Sequence, residues 1–277
     1  MLVTLERSLM DVKDAPPNGG STFKNTISKE DFAALLAQSK PGNAQMASSH
    51  ASALNAESWL KDSSADSGRF IALPLSMLSL RKSEAKLSLS ELLVLAYIHG
   101  FQRRDPLKGC RSNAKTIAEA LGISPSALSK RLQKLKNFAL IKKEGHGEEI
   151  TYRVDEARWA ELCGIEFIDA GALHEWTSRG TFCRVPFWAI RDTDLSALDK
   201  VLFGYIFSFF AAKESKPFRV STQNAADQLA VSKSKLRVSL ERLTSLNLVV
   251  KTVISPRAPA EYDVNPQACM ERGSKNL

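Results

Sequence analysis

The strongest constraint on the fold is that the chain repeats itself. Residues 69–155 and 182–264 carry one pattern twice: Leu73-Pro74 answers to Val185-Pro186, and a constant offset of 108 then pairs Leu87-Ser88 with Leu195-Ser196, Glu91 with Asp199 and Tyr97-Ile98 with Tyr205-Ile206. The same offset relates Ala118 to Ala226, Leu121 to Leu229, Ser124 to Ser232, Ser126 to Ser234, Leu128 to Leu236, Leu132 to Leu240, Leu135 to Leu243 and Leu140 to Leu248. Tyr152 and Val154 match Tyr262 and Val264 at an offset of 110, so the length differences fall in loops. Self-similarity at a fixed spacing marks a structural unit used more than once. A chain of 277 residues, at roughly 100–200 per domain, has room for two such units with a core in each.

Both copies predict the same elements. Ser88 and Ser196 are N-cap candidates for a first helix, expected over residues 89–99 and 197–210, whose apolar residues mark a buried element. Asn113 and Ser221 cap a short second helix ending near Leu121 and Leu229. Ser124 and Ser232 cap a third, the first copy having Pro125 at the first helical position, where the missing N–H costs nothing. A hairpin follows, predicted over residues 140–144 and 149–154 with a Gly145-His146-Gly147 tip, and over 248–255 and 261–264 with a tip at 256–259.

Charge is distributed along the same division. Residues 69–155 hold 16 basic and 8 acidic side chains, net +8, and residues 182–277 hold 14 and 9, net +5. Residues 1–68 hold 6 and 8, and residues 156–181 hold 2 and 5. The excess behind the formal charge of +8 therefore sits on the two repeated units, which implies a polyanionic partner.

Three helices ending in a β-hairpin describe a winged helix. The stretch from Ser112 to Ile141 (SNAKTIAEALGISPSALSKRLQKLKNFALI) resembles the helix-turn-helix of bacterial winged-helix DNA-binding proteins, and the stretch from Val220 to Val249 is a second copy. With the Leu-Pro and Val-Pro lead-ins, both resemble the winged-helix modules of plasmid and phage replication initiators. The resemblance implies a mainly α fold with small β-hairpins: two tandem winged-helix domains at 69–155 and 182–265, joined by a helical linker at 156–181 and flanked by tails at 1–68 and 266–277. It implies sequence-specific binding of double-stranded DNA in replication initiation, with transcriptional regulation of a mobile element as the alternative. A protein-interaction scaffold is a third reading, because the fold alone does not fix the role.

In a helix-turn-helix the outer face of the last helix enters the major groove. At 100° per residue Leu128, Leu132 and Leu135 point inward, while Ser126, Ser129, Lys130, Gln133 and Lys134 fall on or beside the outer face. Ser126 and Gln133 suit base edges, Lys130 suits guanine O6 or N7, and Lys134 suits phosphate. The second copy offers Lys233, Ser234, Lys235, Arg237, Val238 and Arg242, with Val238 suited to a thymine methyl, but its Glu241 repels phosphate. DNA contact and a dimerising or architectural role are both open for this helix. At the hairpin tips, His146 between Lys142, Lys143 and Arg153, and Arg257 in the second copy, are candidates for groove or backbone contact.

The remaining segments carry weaker signals. Residues 39–68 are rich in Ser, Ala, Asn and Asp, so the N-terminal stretch is expected to be largely disordered, with short helical patches that offer a contact for a replication or transcription protein. The first helix of the second copy carries Phe203, Tyr205, Phe207, Phe209 and Phe210 after Val201, more aromatic surface than one core stripe needs. It is expected to pack on the other repeat or on a second subunit, or to be an aromatic core. No phosphate loop, nucleophile elbow or paired-carboxylate motif is present, His50, His99, His146 and His174 are scattered, and no enzymatic activity or cofactor is expected. Cys110, Cys163, Cys183 and Cys269 are far apart and read as reduced thiols in a cytoplasmic protein without a structural metal. No apolar run approaches the about 20 residues that span a bilayer, so no membrane partner is expected.

Overall fold

The computed structural model describes residues 70–145, 150–165, 182–211, 217–255 and 258–275. Over these it is mainly helical with three small two-stranded antiparallel sheets. The expected tail at 1–68 lies outside the described residues, as do the tip residues His146 and Arg257 and most of the linker.

The first unit runs β1 (Phe70–Pro74), a 3-10 turn (Leu75–Arg81), α1 (Leu89–Arg104), α2 (Ala114–Ala120), α3 (Pro125–Asn137), β2 (Ile141–Glu144), β3 (Thr151–Val154) and α4 (Glu156–Leu162). The second runs β4 (Phe182–Pro186), α5 (Phe187–Arg191), α6 (Ala197–Phe210), α7 (Thr222–Gln228), α8 (Lys233–Ser245), β5 (Val249–Thr252), β6 (Glu261–Val264) and α9 (Pro266–Lys275). The first, second and third helices expected in each repeat, α1 to α3 and α6 to α8, start at the caps their sequence supplies. Ser88 and Ser196 form reciprocal capping boxes with Glu91 and Asp199. Asn113, Ser221, Ser124 and Ser232 accept from the backbone N–H three residues on. Helix α1 extends to Arg104, past the expected His99, because nothing in Gly100-Phe101-Gln102-Arg103 stops it.

The strands show how the two units meet. β1 and β4, the Leu-Pro and Val-Pro lead-ins, pair with each other, Ile71 opposite Val185 and Ala72 opposite Arg184. Ala72 and Arg184, which correspond in the repeat, lie opposite one another, and the pairs on either side are exchanged, Ile71 with Val185 and Leu73 with Cys183, so this ladder has a local twofold axis at its centre. Contacts on either side respect it. Arg81 of the first unit donates through Nε to Ala230 O in the turn between α7 and α8 of the second, at 3.2 Å. Gly122, which corresponds to Ala230, lies against Arg191 of the second unit, so closely that a Cβ would be 2.9 Å from the Arg191 Cα. Both turn residues have positive φ, 60° at Gly122 and 52° at Ala230.

One continuous core fills both units, with Leu92, Leu95, Leu128 and Leu135 in the first and Leu202, Leu236, Leu243 and Leu248 in the second fully buried. The aromatic residues of α6 are spent within it. Phe203 packs edge-on against Trp188 and stacks on Phe207, while Tyr205 and Phe209 meet Phe218. Every residue from Val201 to Phe207 is buried, in keeping with the aromatic-core alternative for this helix.

The repeated unit is also longer than its sequence pattern. Residues 156–162, expected as the helical start of the linker, form α4, which buries Trp159 completely and is capped by Asp155; Arg158 returns to Glu84 at 3.1 Å. Residues 266–275, expected as tail, form α9, which buries Cys269, while Arg272 pairs with Asp192 and Asp194. Each hairpin is thus followed by a helix that ties back to the start of its own unit.

Candidate nucleic-acid interface

Three leucines on one side of α3 leave its opposite side in solvent. Leu128, Leu132 and Leu135 are buried, and Ser126, Ser129, Lys130 and Gln133 are all exposed, as the 100° spacing dictates. The face is partly organised in advance. Gln133 Nε2 donates to Asn137 Oδ1 at 2.8 Å, and the Ser126 and Ser124 hydroxyls lie 3.1 Å apart. The chemistry available is one free-standing ammonium, two hydroxyls and one carboxamide along about two helical turns, a set of donors and acceptors able to meet base edges.

Lys134 has a different position from the one its sequence suggests. Its ammonium lies 3.0 Å from Glu91 Oε2 and 3.2 Å from Lys86 O, bridging α3 to the N-terminus of α1. Burial works against ionisation of Glu91, but the Ser88 N–H and the Lys134 ammonium outweigh it and hold its carboxyl below the usual carboxylate range. Lys134 is therefore first a brace between two helices. The second unit repeats the brace with other residues: Arg242 faces Asp199 at 3.6 Å and donates to Asp194 O, and Ser239, buried, donates to Asp199.

On α8, Lys233, Ser234, Lys235, Arg237 and Val238 are exposed, Val238 at 64%. Beside them a groove of about 330 Å³ runs between α8 and the start of α6, lined by Ser234, Val238, Arg242 and the Asp199 carboxylate. Arg242 remains half-exposed at its rim. Acid behind the helix and Glu241 on it leave this face less favourable to phosphate than α3.

The hairpins divide similarly. In the first, Lys142 pairs with Asp155 at 2.6 Å, and Arg153 pairs with Glu144 and donates to the carbonyls of Pro106 and Leu107, so two of the three cations expected to approach DNA are braced within the unit. Lys143 is exposed. In the second, Val250, Val253 and Ile254 are exposed where the first carries Lys142, Gly145 and His146 at an offset of 108.

Sequence reasoning missed one basic cluster. Arg81 and Lys82 of the first unit line a cavity of about 300 Å³ together with Lys235 of the second, where the 3-10 turn meets α7 and α8 of its neighbour. The cluster exists only because β1 and β4 pair across 112 positions of sequence, and no local pattern announces it.

Among the described residues, the one histidine and the four cysteines are buried in or packed against the core. His99 is fully buried, 3.2 Å from Glu156 Oε1 and edge-on to Trp159. The four cysteines are free thiols; burial pushes Cys163 up to about 11 and Cys183 and Cys269 further still, which removes them as nucleophiles at neutral pH. Among the described residues no group of three His, Cys, Asp or Glu side chains is placed to hold a metal, and no helix is long and apolar enough to cross a membrane. No family model, curated protein or solved structure matches the chain.

Proposed function

We propose that the two repeated units are tandem winged helices with which one chain binds double-stranded DNA sequence-specifically, in the role of a plasmid- or phage-type replication initiator. The observation that carries this reading is the exposed face of α3, with Ser126, Ser129, Lys130 and Gln133 presented by a helix-turn-helix inside the more basic unit. A solvated surface needs charge alone, whereas this face offers a mixed set of hydrogen-bonding groups at the end of the chain's most regular motif.

The twofold character of the β1–β4 ladder gives the reading a geometry. Two equivalent helices related by a dyad favour half-sites in inverted orientation, about one helical turn or roughly 34 Å apart along the duplex. The first unit supplies most of the discrimination, and the second supplies backbone contacts through Lys233, Lys235 and Arg237 plus a methyl-sized contact at Val238.

Selection of sites from random duplexes, followed by salt titration of the winner, is the test. Enrichment of one sequence and a salt slope corresponding to about 6–10 neutralised phosphates are expected. Clustered copies of that site near the coding sequence go with initiation; a single copy over a promoter goes with regulation. Failure to enrich any duplex removes the DNA reading and leaves the protein-interaction scaffold.

A further inference from the structure

The two units differ at the outer edges of the strands that join them. In the second, Arg184 N–H donates to Ser208 Oγ at 2.8 Å, and that hydroxyl donates in turn to Gly204 O at 2.7 Å, so a side chain of α6 closes the edge of β4. The corresponding residue of α1 is Gly100, and a Cβ built there meets nothing within 4 Å. Because the Arg184 N–H points away from β1, Ala72 and Arg184 form a non-hydrogen-bonded pair. The N–H and C=O of Ala72 therefore point to the other edge, beside Gly100.

That edge opens into a cavity of about 370 Å³, walled by Phe70, Phe101, Phe182 and Phe187 and rimmed by Arg103 and Arg104. No acidic side chain lines it among the described residues. Guanidinium groups already lie over the ring faces: Arg184 is 5.6 Å from the Phe70 centroid and 5.5 Å from that of Phe182, Arg103 is 5.7 Å from Phe182, and Arg104 is 5.7 Å from Phe101.

We infer that this cavity is a docking site for a short extended peptide of acidic and apolar composition, presented by another protein. The peptide backbone adds to β1 at Ala72, an apolar side chain enters the space that Gly100 leaves open, and a flanking carboxylate meets Arg104 at the rim. Single-stranded nucleic acid fits less well: stacking needs open ring faces, which the guanidinium groups cover, and the paired backbone groups of Ala72 call for an amide partner. The site is separate from α3 and α8 and does not depend on the duplex-binding proposal.

The test is fluorescence anisotropy with the full chain and a fluorescein-labelled probe, acetyl-Asp-Glu-Leu-Phe-Asp-Asp-amide, beside its Asn/Gln counterpart. The acidic probe binds at least about tenfold more tightly than the neutral one, reflecting a charge-assisted contact at Arg104. Gly100→Leu fills the cavity with a good helix former and abolishes binding, with the circular dichroism spectrum unchanged; Arg104→Glu weakens it about tenfold or more, as an inverted rim charge requires. Absence of probe binding, equal binding of the neutral probe, indifference to both substitutions, or displacement of the probe by oligo(dT) would each overturn the proposal. The last outcome assigns the surface to nucleic acid instead.

Discussion

On the outer face of α3 the first unit carries Ser126, Lys130 and Gln133; at the same three positions of α8 the second carries Ser234, Val238 and Glu241. Beneath these faces the units agree closely. Both have a capping box at the first helix, whose carboxylate also braces a cation of the third helix, Glu91 with Lys134 and Asp199 with Arg242. Both place a residue with positive φ after the third helix, Ala139 at 55° and Asn247 at 56°. What repeats is the frame that holds the third helix against the first, and what differs is exposed. The comparison assigns Lys134 and Arg242 to the frame, and it leaves Lys130 against Val238 as the sharpest contrast in surface chemistry.

The largest expected effect tests the frame. Gly204 of α6 lies so close to β4 that a Cβ would be 2.6 Å from Val185 Cγ2 and 3.0 Å from Arg184 O, whereas Gly100 of α1 has open space. Gly204→Ala is expected to destabilise by about 3 kcal/mol through overpacking. Gly100→Ala is expected to stabilise by up to about 1 kcal/mol through helix propensity. Thermal melts of the two variants measure this, and equal shifts would mean that Gly204 is not in closer contact with its strand than Gly100 is with its surroundings.

Next comes the contrast in reading faces. Lys130→Ala is expected to weaken binding to the selected duplex by about 1–3 kcal/mol and relax one position of the site. Val238→Ala is expected to change it by less than about 1 kcal/mol, and Lys233→Ala with Arg237→Ala to lower the salt slope by about two without altering the preferred sequence. Lys134→Ala is expected to lower stability as well as affinity, because it strands the partly buried Glu91. If Lys130→Ala and Val238→Ala weakened binding equally, the two faces would share the discrimination.

Acid should separate the units by a smaller margin. Burial opposes ionisation of Asp192, but Arg272 and the Asp194 N–H overcome it and hold the carboxyl below its usual range, as Lys134 and the Ser88 N–H do for Glu91. A carboxylate depressed in the folded state contributes stability that is fully present above its unfolded-state pKa, about 4, and lost as pH falls through the folded-state value. Stability should therefore fall below about pH 4, and Asp192→Asn should flatten that decline more than Glu91→Gln. The Asp192 side chain is 3% exposed and that of Glu91 14%, which sets the order. The smallest effect expected is at Ala139: Ala139→Gly relieves a left-handed residue and should raise stability by no more than about 1 kcal/mol.

How much of this was legible depends on how local the physics is. Caps were readable because a Ser or Asn side chain satisfies an N–H three residues away, and the outer face of α3 because three leucines fix the rotation of the helix. The β1–β4 ladder was not readable. A five-residue apolar strand carries no record of its partner, and the match of Leu73-Pro74 with Val185-Pro186 does not reveal that their strands pair. The role of Lys134 was hidden for a similar reason, since Glu91 is 43 residues away, and α9 was missed because Arg272 finds Asp192 at a separation of 80. The cavity at Gly100 arises from the same ladder and had no sequence signal beyond the mismatch of Gly100 with Ser208.

The central claim is that two units of one chain, related by the twofold of the β1–β4 ladder, engage one duplex with unequal faces. Hydroxyl-radical footprinting of a single bound chain on the selected site tests it most directly. The account predicts two protected patches on one face of the duplex, about one helical turn apart, over half-sites in inverted orientation, with Lys130→Ala clearing only one patch. A single protected patch, or two patches over half-sites in the same orientation, would contradict it.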